Sequence, residues 1–138
     1  MEEGGGQQRK GMLPSSDPGM LIDMGNELLR MGEYERAIEL FEALIEREKG
    51  LTFKAKAYNS CGIAYAELGK YDKAIEYFEK AIELRRYLVD FGARTYFNLA
   101  RVYEIVGNSK KAKECREKGE VLQEELYHCW VTQSDTLE

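Results

Sequence analysis

The side chains best suited to chemistry in this 138-residue chain are three cysteines, one histidine and a dense set of carboxylates. A thiolate can attack a carbonyl or bind a metal, an imidazole can move protons, and paired carboxylates can serve as acid and base. The spacing supports none of these. His128 and Cys129 are adjacent rather than at the separation that lets two ligands converge on one ion. No nucleophile has a base at a workable distance along the chain, and no glycine-rich loop joins a strand to a helix. Cys61 and Cys115 fall on apolar helix seams, where a thiol acts as a small hydrophobe, and an odd number of cysteines leaves one unpaired in any disulfide scheme. The carboxylates around Gly32 to Glu35 and Gly69 to Asp72 mix with Lys and Arg at helical spacing, as on solvated helix faces. The expectation is a protein that is not an enzyme, with no metal and no cofactor.

The elements that carry these residues repeat. GEYERAIELFEALIE from Gly32, GKYDKAIEYFEKAIE from Gly69 and GNSKKAKECREKGEV from Gly107 align on their leading glycines, which lie 37 and 38 residues apart. Upstream of each glycine, a small residue stands seven positions before it (Gly25, Gly62, Ala100) and a large apolar one four before it (Leu28, Tyr65, Tyr103). A period of this size marks a solenoid, in which one helix pair cannot bury its apolar face alone and stacks on its neighbours. Within the middle copy, Tyr58, Cys61, Gly62, Tyr65 and Leu68, then Tyr71, Ala74, Ile75, Phe78, Ala81 and Ile82, recur at steps of three and four, giving one stripe on each of two amphipathic helices. Gly62 and Ala74 allow close backbone approach while Tyr65 and Phe78 fill the neighbouring gaps. Asp17 before Pro18 is a helix start, and the three glycines end the first helix of each pair. Six helices are expected near 18–31, 34–48, 52–68, 71–87, 90–106 and 109–128.

These residues resemble the tetratricopeptide repeat, which wants an aromatic, a leucine, a small residue and a tyrosine on a first helix, then a tyrosine, alanine, aromatic and alanine on a second. The middle copy carries Tyr58, Cys61 for the leucine, Gly62, Tyr65, Tyr71, Ala74, Phe78 and Ala81. The first has Leu21 for the aromatic and Leu44 for the last alanine. The third departs furthest, with Ser109, Arg116 and Gly119 at the tyrosine, aromatic and alanine positions of its second helix. The period exceeds the common 34 residues, which implies an extra helical turn in each connection. The fold so implied is an all-α, right-handed α-solenoid of three helix-turn-helix repeats (about 18–51, 52–88 and 89–127), with the last helix extended as a cap. The repeats span a domain from 17 to 131, between a disordered segment at 1–16 and a flexible tail at 132–138.

Such a scaffold recognises partners on the concave face formed by its first helices. The face residues expected here are Ile22, Asn26 and Arg30 from the first repeat, Lys56, Asn59 and Ile63 from the second, and Arg94, Phe97, Arg101 and Ile105 from the third. Ile22, Ile63, Phe97 and Ile105 are apolar where solvent would otherwise be met, and Lys56, Arg94 and Arg101 flank them. That combination suits a protein or peptide partner with apolar anchors and acidic character; packing against adjacent repeats is the competing reading. The five-residue carboxylate clamp of certain chaperone-binding relatives is matched strictly only at Asn26 and is not expected. On the last helix, Ala112, Cys115, Gly119, Leu122, Leu126 and Cys129 form a narrow seam that either packs back on the stack, joins a second copy, meets a partner or is disordered.

A formal net charge of −5 argues against nucleic acid as a partner. No apolar run approaches the length of a membrane span, and MEEGGGQQRK has no apolar core of a signal peptide, so a cytoplasmic protein is expected. The family resemblance implies an adaptor or scaffold module binding a peptide or helix in its groove. A small co-chaperone for secretion or membrane-protein assembly, and a unit that self-associates through its last helix, are the alternatives.

Overall fold

The computed structural model describes residues 13–136. Among them six α-helices stand in three antiparallel pairs: α1 (Pro18–Arg30) with α2 (Tyr34–Arg47), α3 (Leu51–Glu67) with α4 (Tyr71–Glu83), and α5 (Ala93–Ile105) with α6 (Ser109–Thr136). The architecture is an α-solenoid. Asp17 caps α1 by accepting from the Gly19 amide at 3.0 Å, and Pro18 opens it. Gly32, Gly69 and Gly107 have φ near +80°, a left-handed conformation that strains any residue with a side chain although the space around them is open. Each lets the next amide reach back five residues, as Lys70 does to the Tyr65 carbonyl at 2.9 Å, so the first helix closes in a Schellman turn.

Large residues pack on small ones within a pair. A methyl group on Gly25 would lie 2.4 Å from the Phe41 ring, and one on Gly62 would lie 2.7 Å from that of Phe78. The third pair inverts this arrangement. Arg116 replaces the phenylalanine and pairs outward with Glu104, while the ring of Phe97, now on the first helix, lies against Gly119 on the second. Two of the three departures of the third repeat from the family pattern, Arg116 and Gly119, thus each have a partner on the first helix.

Hydrogen bonds join successive pairs. The Tyr65 hydroxyl donates to Glu42 at 2.7 Å and Tyr103 donates to Glu79 at 3.5 Å, the same positions one repeat further on. Tyr77 also donates to Glu42, at 2.6 Å, and its ring centroid stands 5.1 Å from that of Tyr65. Burial, reinforced by the Glu42 carboxylate that each hydroxyl bonds, holds the Tyr65 and Tyr77 phenols well above their ordinary range.

The connections differ from the expected pair of extra helical turns. The first does add a turn: α3 has 17 residues against 13 in α1 and α5. In the second, α4 stops at Glu83 rather than 87, a 3-10 turn covers Arg85–Tyr87, and α5 starts at Ala93 rather than 90. Phe91 and Gly92 both take positive φ there, held by the Asp90 carboxylate on the amides of Gly92 and Arg94 and by Arg85 on the Phe91 carbonyl. The last helix runs to Thr136, so the stretch from Thr132 read as a flexible tail is helical to that point. Residues 13–16, read as disordered, are tied by the Arg47 guanidinium to the Ser15 and Ser16 carbonyls; residues 1–12 of that segment lie outside the described residues.

Gly62→Ala should destabilise the protein. Phe78 is 1% exposed and cannot swing away, so overpacking at about 1–3 kcal/mol outweighs the gain in helix propensity of about 1 kcal/mol; a urea midpoint at or above the parent value would contradict this. Alkali should also weaken the fold. A phenol whose pKa is raised on folding stabilises fully below its unfolded value near pH 10 and loses that contribution as pH rises further. Urea midpoints should fall above about pH 10, and Tyr65→Phe/Tyr77→Phe should flatten the fall; equal slopes in parent and variant would refute it.

Candidate functional site

The first helices α1, α3 and α5 lie against one another and form one face of the stack, where the residues anticipated as a binding groove separate into four groups. Ile22 is not free. It is 7% exposed and belongs to the core, because α3 packs over the side of α1 that single-helix periodicity assigns to solvent. Beside it, the Lys56 ammonium stands 5.7 Å from the Phe53 ring. Arg30 is engaged on its own helix with Glu27.

Asn26 and Asn59 form the second group and are structural links. The Ser60 hydroxyl donates to the Asn26 side-chain oxygen at 3.1 Å. One repeat on, the Asn59 oxygen accepts from the Thr95 hydroxyl at 2.8 Å and from the Asn98 amide at 3.4 Å. Thr95 is 1% exposed, so Asn59 satisfies a hydroxyl that water cannot reach.

The third group is a concave site. Ile63, Ala66 and Glu67 of α3 face Asn98, Arg101 and Ile105 of α5 across a groove of about 310 Å³, floored by Tyr71, Phe78 and Val102. Three of the anticipated residues, Ile63, Arg101 and Ile105, come together here. Ile105 is 56% exposed, and Arg101 is exposed with no ion-pair partner among the described residues. Elsewhere on this face, Arg94 and Phe97 border a separate depression with Asp90, Gln123, Leu126 and Tyr127. Phe97 is half-buried against Gly119 and serves the core as much as this surface.

Two of the three thiols are poorly suited to nucleophilic work. Burial, then the nearby Glu42 carboxylate, pushes the Cys61 thiol up, and burial also raises Cys115, so both resist forming the reactive thiolate. Among the described residues no group of three or more His, Cys, Asp and Glu side chains is arranged to hold a metal ion.

A tetratricopeptide repeat family model matches residues 22–89 and 62–112, which together span most of the repeat region. The chain belongs to the tetratricopeptide repeat family. Among solved structures, the crystal structure of MamA superposes with a TM-score of 0.70 at 25% identity, covering 82% of this chain and 62% of the MamA chain. The tetratricopeptide repeat domain of Arabidopsis FLU superposes at 0.71 with 23% identity, covering 78% of this chain and 95% of that domain. This chain thus spans less than two thirds of the MamA chain it matches. No curated protein matches it. The tetratricopeptide repeat fold supports protein–protein interaction in general, and no helix among the described residues is long and apolar enough to cross a membrane.

Asn59→Ala should cost about 1–3 kcal/mol of stability by stranding the Thr95 hydroxyl. Urea unfolding checks this, and an unchanged midpoint would show that the link between α3 and α5 is incidental.

Proposed function

We propose that this chain is an adaptor or scaffold module that binds a peptide, extended or helical, in the groove between α3 and α5. The observation that carries this reading is the pairing of an exposed, unpartnered Arg101 with the exposed Ile105 and half-buried Ile63 around one concavity. An aliphatic side chain of the ligand fills the apolar part of the groove, and a neighbouring carboxylate bonds the guanidinium fork of Arg101. Glu67 on the rim disfavours a second acidic residue at its own end, which gives the bound peptide a direction. The partner is a protein or peptide with acidic and apolar residues. A cytoplasmic location accords with the three free thiols, Cys61, Cys115 and Cys129.

A displayed peptide library selected on the parent protein tests the proposal. Enriched sequences should pair an acidic residue with a nearby aliphatic one, and Arg101→Ala and Ile105→Ala should each weaken the best peptide by about tenfold. Both positions are exposed, so neither change disturbs the fold. Peptides that bind parent and both variants equally would refute it.

A further inference from the structure

The last helix pair is unequal. α5 has 13 residues and α6 has 28, so α6 runs on past the start of its partner. Phe97 lies against Gly119, and α5 begins only four residues before that ring, at Ala93. The part of α6 beyond Gly119 therefore borders the start of α5 and walls a depression of about 500 Å³. In it Arg94 and Phe97 face Leu126 and Tyr127, with Asp90, which precedes the helix, on the rim. Tyr127 is 63% exposed, and Trp130, four residues after Leu126 and also exposed, continues the apolar wall by one turn.

This depression and the groove between α3 and α5 lie on opposite flanks of one ridge. Arg94 and Arg101 are seven residues apart on α5, so they stand on the same side of it, about 10 Å apart along its axis. Both are exposed, and neither has an ion-pair partner among the described residues. On the α3 flank Arg101 borders the groove with Ile63 and Ile105; on the α6 flank Arg94 borders the depression with Phe97 and Tyr127. Carboxylates stand at the two far ends, Glu67 beside Ile105 and Asp90 ahead of α5. Asp90 accepts from the amides of Gly92 and Arg94 at 3.0 and 2.9 Å and pairs with neither guanidinium. Along α5 the surface thus reads acid, base, base, acid, with an apolar hollow toward each end.

We propose that one extended segment of a partner protein crosses α5 obliquely and is held at both hollows, which rests on the groove reading given above and adds a second subsite to it. Charge complementarity specifies the segment. It carries two apolar anchors four residues apart, acidic residues between them for Arg101 and Arg94, and none outside them, where Glu67 and Asp90 stand. The spacing follows from the ridge. Roughly 10 Å along a helix and roughly 10 Å across it separate the hollows by about 14 Å, and four residues of extended chain span about 13 Å with both side chains on one face. The hollow against α6 is the larger, about 500 Å³ against about 310 Å³, so it takes the bulkier anchor and the segment binds in one direction. The chain's own first residues do not fit, because Glu2 and Glu3 are followed by glycines where the second anchor would fall.

The probe is the synthetic, end-capped peptide GSLEEEFSG, titrated into the isotope-labelled full chain and followed by amide chemical shifts. Saturable shifts should appear on both flanks, at residues 63–67 and 101–105 and at 93–97 and 123–127. Arg94→Ala and Tyr127→Ala, both at exposed positions, should each weaken binding by about tenfold. Tyr127→Ala should leave the affinity for GSLEEEGSG, which lacks the second anchor, unchanged. Lengthening the spacing by one residue, as in GSLEEESFSG, turns the second anchor to the opposite face and should also cost about tenfold. No saturable shift at millimolar peptide, shifts confined to the groove between α3 and α5, or parent-like affinity in both Arg94→Ala and Tyr127→Ala overturns the proposal. The groove reading fails separately: binding weakened by Arg101→Ala and Ile105→Ala but by neither Arg94→Ala nor Tyr127→Ala refutes the second subsite and leaves the groove standing.

Discussion

In the first two helix pairs the backbones approach so closely that a phenyl ring lies where a β-carbon would be. Phe41 over Gly25 and Phe78 over Gly62 set that distance, and the rest of the structure inherits it. Because the pairs are tight, each presents a narrow edge, and three edges stack with their first helices touching. That contact lines up Asn26 with Ser60 and Asn59 with Thr95 on one side of the stack. On the other it brings tyrosines to the glutamates of the preceding repeat. A bulkier residue at the crossing would move not one side chain but the register of every later repeat.

The helix pairs were legible in the sequence because they rest on local signals: apolar steps of three and four, glycines that must take positive φ, and Asp17 with Pro18 at the start. The groove was less legible. Periodicity divides a helix into an apolar and a polar face but says nothing about which part of the polar face a neighbouring repeat will cover. Ile22 was assigned to solvent and is buried, and Asn59 was assigned to a ligand and holds Thr95. Ile63, Arg101 and Ile105 do meet, since they lie on the two first helices whose facing sides stay open between them. The form of the connection between α4 and α5 was not legible, because its Asp90 turn rests on one carboxylate bonding the amides of Gly92 and Arg94 at the start of α5, with no periodic signal.

The polar links separate scaffold from recognition. An asparagine that spends its oxygen on a neighbouring helix has less left for a ligand, and a tyrosine bonded to a carboxylate is committed to the stack. Once these are set aside, the side chains free to choose a partner are few, and they sit on a frame shared with proteins of other functions. On the proposed function, specificity rests on a handful of exposed residues around one small concavity rather than on the length of the face.

The inverted contact of the third repeat carries a consequence for how the chain tolerates change. Phe97 packs on Gly119, beside the Ala100 and Arg116 that stand where the second repeat has Gly62 and Phe78. Restoring the common aromatic at position 116 would add a ring where Arg116 now reaches outward to Glu104, and restoring alanine at 119 would press on Phe97. The reversion at 119 is unfavourable unless Phe97 changes with it, and the one at 116 sets a ring against Ala100, which has a β-carbon where Gly62 has none. Replacing residues one at a time by the commonest type in the family, a sound route to stability where positions are independent, thus fails in this repeat because its energetics reside in a combination rather than in any single site.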